Sequence, residues 1–455
     1  MACRLVGGGT FDRIGASSAM MMSPRPPRWP VDEARAWLEA RRSFGMALGL
    51  DTTRQLLIAL GRPDLLPSTV VHVAGSNGKG TLCAVLAAKA HDMGHTTVLF
   101  TSPHVARIEE RVRVDGRPVS ARLFDEALLR VKTCAESLNL EPTFFETTML
   151  IAWAVCDLVK ADVMVQETGL GGRLDATRAS RADVAVVTAI SVEHASLLGT
   201  TRSEVMSEKA AIARPGKPLL LRDPGDDGVL DVARQTAQRA GTYGLDKTGP
   251  ASEVIAVPIP ENVDVRKEAA RLADAVCQVL GWPTQGLHEL ATCVRWPARG
   301  QWVEHEASGC GPMLIDAAHN PSGMARALPG LWDELQRRIG AGPWRLLFGT
   351  SPQTDLDAMM APLLERCRLS HPDHVLLVAP EGGRMPGVPP DELAELAWSS
   401  LNRIHTFHSV RDAVGHMQAA PMPTLVVGSL YLAGNVLAEL GLDGDEDLSL
   451  LPSQG

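Results

Sequence analysis

Very little in this sequence points outside the aqueous interior of a cell. None of its 455 residues belongs to an apolar run approaching the roughly 20 residues of a membrane span. The opening MACRLVGGGTFDRIGASSAMMMSPRPPRWP lacks the apolar centre of a secretory signal. The eight cysteines (Cys3, Cys83, Cys134, Cys156, Cys277, Cys293, Cys310, Cys367) contain no C-x-x-C pair and no zinc-site spacing, which argues against a disulfide scaffold and for reduced, packed thiols. A basic excess is missing too: 44 Lys and Arg stand against 53 Asp and Glu, so the formal charge is −9 and nothing favours nucleic acid or an anionic membrane as a partner. Internal repeats and long low-complexity tracts are absent. A cytoplasmic protein acting on small molecules is the expectation that remains.

What is present is an ordinary globular composition, 45% hydrophobic and 21% charged, at a length that suits two domains better than one. Residues 1–30, with Met20, Met21 and Met22 before a proline-rich stretch, read as a loose extension or the product of an upstream start. Apolar positions at helical spacing over 31–60 (Ala34, Trp37, Leu38, then Leu56, Leu57, Leu60), broken by SFGMALGLD, predict a helical lead-in. Short apolar runs then recur at 70–74, 97–100, 163–166, 184–190 and 218–221, and a second series at 313–315, 345–348, 374–378 and 424–427, with helical stretches between. That alternation predicts an α/β protein built on mainly parallel sheets. The expected division is a first domain over 31–296 and a smaller one over 297–442, split where Pro297 and Gly300 interrupt the helical pattern that includes 269–280. A solvated acidic tail over 443–455, with Asp443, Asp445, Glu446 and Asp447, would follow.

Chemistry concentrates first at Gly75, Ser76, Asn77, Gly78, Lys79, Gly80 and Thr81, between the predicted strand 70–74 and a helix predicted over 82–93. Glycines let backbone N–H groups approach phosphate oxygens, a helix start adds the positive end of its dipole, and Lys79 adds a point charge. Gly80 between Lys79 and Thr81 departs from the common G-x-x-x-x-G-K-[ST] spacing, and a glycine turn with an exposed lysine is the alternative. Strand, loop and helix occurring together favour the phosphate cradle. Glu167 ends the buried run 163–165, where a carboxylate needs a partner or an ion. Taken alone, Ser102 before Pro103 reads as a turn start, His194 as a hydrogen-bonded structural histidine, and Lys209 beside Glu208 as a solvated helix face.

The blocks FGMALGLD, HVAGSNGKGT, FTSPHVARIEERVRVDG, ETGLGGRLDAT, VEHASLLG, EKAAI, RWPARG, DAAHNP and VGSLYLAG run in order from about residue 37 to 440. In that order they resemble the folylpolyglutamate synthase and dihydrofolate synthase branch of the Mur-ligase-like ATP-dependent amide ligases. The resemblance implies an N-terminal P-loop ATPase domain and a smaller C-terminal Rossmann-like domain. It also implies ATP and Mg²⁺ as cofactors, and an amide formed between L-glutamate and dihydropteroate, a reduced folate, or both, through an acyl phosphate. By the same resemblance Ser102 and Glu167 hold one magnesium, and Glu167, His194 and a carbamylated Lys209 serve a second. Lys79 and Arg299 would reach the nucleotide phosphates and Asp316 the nucleoside. His319 and Ser429 would serve glutamate binding or catalysis, and Asp175 and Ala176 the pterin side. Family members are often monomers, which is the expectation here.

Several positions depart from the family pattern. Glu193 stands for an aspartate, Ala211 for the glycine of E-K-A-G-I, Ala298 and Ala317 for the glycines of W-P-G-R and D-G-A-H-N-P, and Arg178 for the asparagine after D-A-T. Gln353-Thr354-Asp355 replaces D-K-D and puts a subsite of the second domain in question. Two other readings stay open: a Mur-like ligase for another carboxylate acceptor, and a non-catalytic paralogue that binds ATP or folate. Arg107, Arg111 and Arg113 read equally as local positive charge for anionic substrates or as a solvated face.

Overall fold

A computed structural model describes residues 31–45, 49–192, 195–239, 253–260, 263–353, 355–383, 385–395 and 403–451. The expected extension over 1–30 lies outside the described residues. Fourteen strands among the described residues form two sheets. The first contains β1 (Thr69–Ala74), β2 (Thr97–Phe100), β3 (Val112–Val114), β4 (Arg117–Pro118), β5 (Val163–Glu167), β6 (Val184–Val187), β7 (Leu219–Arg222) and β8 (Val254–Val257), in the order β4-β3-β2-β5-β1-β6-β7-β8. From β2 to β8 neighbours are parallel, while β3 and β4 close one edge antiparallel. The second contains β9 (Gln301–Val303), β10 (Met313–Ile315), β11 (Arg345–Phe348), β12 (His374–Val378), β13 (Ile404–Phe407) and β14 (Thr424–Val427), in the order β13-β12-β11-β14-β10-β9, with only β9 antiparallel.

Helices explain why the central strands read as nearly unbroken apolar runs: a parallel sheet covered on both faces leaves no polar side. The helix Lys79–Asp92 packs against the first sheet with buried residues all round it, and Phe144–Val159 does the same with Trp153 fully enclosed. The second of these starts sharply because Thr143 Oγ1 accepts from Glu146 N at 3.3 Å while Glu146 Oε2 accepts from Thr143 N at 2.8 Å. Among the described residues no helix is long and apolar enough to cross a membrane.

The differences from the sequence reading lie at edges and ends. The run 184–190 is strand only to Val187, because Ala189 turns away to bridge Asn77 of the glycine loop. β9 and β13 are short and partly exposed, so no strong apolar run marks them, whereas β8 is the apolar run Val254–Val257 that the sequence reading passed over. The stretch after Leu442 is not simply a solvated acidic end. Asp445, Glu446 and Asp447 are exposed, but Leu448, Ser449 and Leu450 are buried. Leu450 N donates to Gly116 O at 2.8 Å and Arg295 N donates to Leu450 O at 2.7 Å, so this segment returns from the second domain to the edge of the first sheet. Apolar side chains in a short acidic segment gave no periodicity from which to read that return.

Candidate active site

In an open parallel sheet, ligands bind where the carboxyl ends of neighbouring strands diverge. Here β2, β5, β1 and β6 lie side by side, and their ends deliver Ser102, Glu167, Gly75 and Thr188 in that order. The second domain faces them across a cleft of about 1680 Å³, bringing Arg299, Asp316 and His319 to the opposite wall.

Gly75 has φ +147°, and a Cβ there would fall 1.9 Å from Thr188 Oγ1, so the close approach of the loop to β6 requires glycine. Gly78, at φ +86°, turns the chain into the helix that begins at Lys79. Lys79 Nζ donates to Gly75 O at 3.0 Å and to Ser76 O at 3.3 Å. Lys209, buried at the end of the helix Arg202–Ala210, donates to the same Gly75 O at 2.9 Å. Two ammonium groups therefore converge on one carbonyl. Trp296 covers the start of the Lys79 helix, its ring 3.1 Å from where a Cβ on Gly80 would stand, and the Arg113 guanidinium lies over the indole at 4.8 Å.

Glu167 is buried, and its carboxylate accepts from Ser102 N at 3.2 Å. Burial pushes its carboxyl up from the ordinary range, against the pull of Lys79. A buried carboxylate and an adjacent serine at one strand-end junction are hard oxygen donors of the kind a divalent cation takes, whereas Lys209 as an ammonium has no lone pair to give. Asp316, just past β10, accepts from Gly300 N and Ala318 N at 2.8 Å each; burial raises its carboxyl while Arg299 opposes the rise. His319 is oriented by Nδ1 to Ala317 O at 2.8 Å.

The cleft thus brings together Gly75 to Thr81, Ser102, Glu167, Lys209, Arg299, Asp316 and His319. His194 and Glu193 lie outside the described residues. Asp175, Ala176 and Ser429 do not line the cleft. Asp175 instead gathers its own loop, accepting from Gly169 N at 3.1 Å, Leu170 N at 3.0 Å and Thr177 N at 3.0 Å. Ser429 caps the helix Leu430–Glu439 by accepting from Tyr431 N at 3.1 Å. Gln353 and Asp355 of the altered segment do line the cleft, and Thr354 lies outside the described residues. Of the three arginines, Arg111 and Arg113 are buried and not on a solvated face, with Arg111 close enough to act on the Glu167 carboxyl, while Arg107 is partly exposed and pairs with Asp445.

Contacts distant in sequence escaped the sequence reading. Arg178 Nε donates to Ala211 O at 2.7 Å and Arg173 N to Glu208 O at 3.0 Å, so the loop 169–178 ties down the helix end that carries Lys209. His72 Nε2 joins Thr168 and Thr177 at 2.9 and 2.8 Å beneath that loop.

The chain is 36% identical over 321 residues to the dihydrofolate synthase/folylpolyglutamate synthase of Escherichia coli, covering 66% of this chain and 74% of that one. It is 28% identical over 325 residues to the Bacillus subtilis protein of the same name, covering 65% and 74%. A crystal structure of the bifunctional folylpolyglutamate synthase/dihydrofolate synthase of Yersinia pestis, complexed with AMPPNP and Mn ion, superposes with a TM-score of 0.72 at 26% identity, covering 92% of this chain and all of that one. No family model matches the chain. The two-domain fold and the cleft define an ATP-dependent ligase of Mur-ligase-like build. Within that class the chain belongs to the dihydrofolate synthase/folylpolyglutamate synthase family.

Proposed function

We propose that this ligase forms an amide between the amino group of L-glutamate and the carboxylate of dihydropteroate, a reduced folate, or both, converting ATP to ADP and phosphate. The observation that carries the reading is the meeting in one cleft of the Gly75–Thr81 loop with its Lys79, buried Glu167 and, from the opposite wall, Arg299. Polyanionic substrates need concentrated positive charge in an otherwise acidic chain, and it is concentrated here. The AMPPNP and Mn ion of the Yersinia neighbour are the kind of occupants such a cleft suits.

In the proposed sequence an acceptor carboxylate oxygen attacks the γ-phosphorus of ATP, the bond to the β-phosphate oxygen breaks, and ADP leaves an acyl phosphate behind. Lys79 and Arg299 face the charge that develops on the transferred group, and the backbone N–H groups of the glycine loop hold the remaining phosphates. The glutamate amine then attacks the acyl carbon, and phosphate departs as the amide forms. His319, on the second-domain wall, is the candidate for orienting glutamate, with Ser429 fixing the neighbouring helix start. Asp175 and Ala176 shape the acceptor loop. Divalent ions, two in number, would be held by Ser102, Glu167, His194 and a carbamylated Lys209, and would neutralise phosphate charge. Domain closure about residues 295–301, between domains over 31–296 and 297–442, would exclude water from the acyl phosphate. The working setting is a cytosolic monomer.

The test is ADP release and product mass with ATP, Mg²⁺ and glutamate, in the presence of dihydropteroate, a reduced folate, or neither. Acceptor-dependent ADP with a glutamate-sized mass gain is expected and names the acceptor. ATP binding without turnover on either acceptor would overturn the reading in favour of a non-catalytic paralogue or another acceptor. Intact mass of active, metal-loaded protein under CO₂ tests the carbamate on Lys209.

A further inference from the structure

Beside the phosphate loop lies a carboxylate whose charge is opposite to what that loop needs. Glu268, in the first turn of the helix Val265–Leu280, is 2% exposed, and a Cβ on Gly78 would stand 3.8 Å from its Oε1. Its other oxygen pairs with two guanidinium groups. Arg222, at the end of β7 in the same domain, lies 3.2 Å away, and Arg326, on the second domain's helix Pro321–Ile339, donates from Nη2 at 2.5 Å. Arg326 also lines the cleft. A second contact ties the helix of Arg326 to the first domain: Asn77 Nδ2 in the glycine loop donates to Ser322 Oγ, one turn before Arg326, at 3.3 Å.

We infer that Arg326 sets nucleotide affinity by neutralising Glu268, and that this pair couples domain closure to nucleotide binding. The inference rests on the phosphate-loop reading above. Arg222 accompanies Glu268 in every arrangement of the domains because its strand belongs to the same domain as the Glu268 helix. Arg326 arrives only when the second domain sits against the first. Parting the domains removes one of two compensating charges from a carboxylate buried against Gly78 of the loop that would hold the phosphates, and in the low-polarity interior that repulsion is poorly screened. Closure therefore strengthens nucleotide binding, and by linkage bound nucleotide favours closure to the same degree. Arg326 is on this account a positioning residue that acts through Glu268, without a direct bond to phosphate.

The experiment is calorimetric titration of AMPPNP with Mg²⁺ into the wild-type chain, Arg326→Ala, Glu268→Gln and the double variant. Arg326→Ala is expected to weaken binding about tenfold, less than the loss of one member of a fully buried charge pair because Arg222 still pairs with Glu268 and Arg326 is partly exposed. Glu268→Gln is expected to bind at least as well as wild type, and adding it to Arg326→Ala is expected to restore most of the lost affinity. Wild-type affinity in Arg326→Ala, or a double variant as weak as the single one, overturns the inference; the second result would mean that Arg326 touches the phosphates itself. If the wild-type chain does not bind AMPPNP at all, the phosphate-loop reading falls instead. Arg326→Met, which keeps the apolar stem, takes the place of Arg326→Ala if that variant does not fold.

Discussion

Replacing Gly75 by alanine tests whether the geometry of the phosphate loop, rather than its composition, carries the activity. At φ +147° the new residue occupies a region that side-chain-bearing residues avoid, at about 1–3 kcal/mol. Its Cβ would also meet Thr188 Oγ1 at 1.9 Å and Thr188 Cβ at 3.0 Å. Thr188 cannot swing aside freely, because Oγ1 donates to Asn77 O at 2.7 Å and its backbone N to Ala74 O at 2.9 Å. Overpacking of this kind adds about 1–3 kcal/mol, for a total of about 2–6 kcal/mol. The loop is the part that can give, so the strain moves Gly75 O away from Lys79 and Lys209 before it unfolds the sheet. About 3 kcal/mol expressed in the transition state is about a hundredfold in rate. Acceptor-dependent ADP release by Gly75→Ala should therefore fall about a hundredfold at unchanged secondary structure. Adding Thr188→Ala removes the 1.9 Å contact and should return about a tenfold part of the loss, with the backbone strain remaining. A Gly75→Ala enzyme within threefold of wild type, or a double variant with no recovery, would refute the reasoning.

Three other outcomes are expected. Burial holds the Glu167 carboxyl above its ordinary 4.5, so the folded metal-free chain keeps a proton that the unfolded chain has lost, and stability falls as pH rises from about 4.5 through the folded value. Glu167→Gln should remove that slope, raise metal-free stability near neutral pH by about 1–3 kcal/mol and abolish ADP release; melting curves with and without Mg²⁺ check it, and a lower metal-free melting point than wild type contradicts it. Leu448→Ala should cost about 2–4 kcal/mol in denaturant unfolding, because the side chain is fully buried, whereas an exposed tail would lose almost nothing. Ala298→Gly should change stability by less than about 1 kcal/mol: relief of the left-handed φ of +54° is offset by the lost buried methyl and the looser unfolded chain, and a melting shift of many degrees either way would contradict that balance.

Where one local pattern decided one local structure, the sequence could be read. β1, β2, β5, β10, β11, β12 and β14 are apolar because they are covered on both faces, and the glycine loop with its following helix is contiguous in the chain. Glu167 was legible for the same reason, as a carboxylate at the end of a buried run. Edge strands were not: β13 is exposed in part and carries His405 and Thr406, and β4 is two residues long. The site's remaining geometry depends on partners far apart in sequence, such as Lys209 reaching Gly75 across 134 positions, and no spacing rule encodes that meeting. The alanines at 298 and 317 looked like unrelated departures from the family pattern. They share a hydrogen bond, Ala317 N to Ala298 O at 2.8 Å, at the entry to the second sheet.

The returning segment at Leu448–Leu450 changes what kind of motion the second domain is free to make. The chain leaves the first domain near Arg295 and comes back beside the same residue, since Arg295 N bonds Leu450 O at 2.7 Å while Leu450 N bonds Gly116 O at 2.8 Å. A body hung on one cord can swing and twist in any direction, whereas one hung on two adjacent cords turns chiefly about the line that joins its attachments, as a door does. The same arrangement sets an order of assembly during synthesis. The patch of the first domain around Gly116 and Arg113 is completed by residues that leave the ribosome only after the whole second domain has been made.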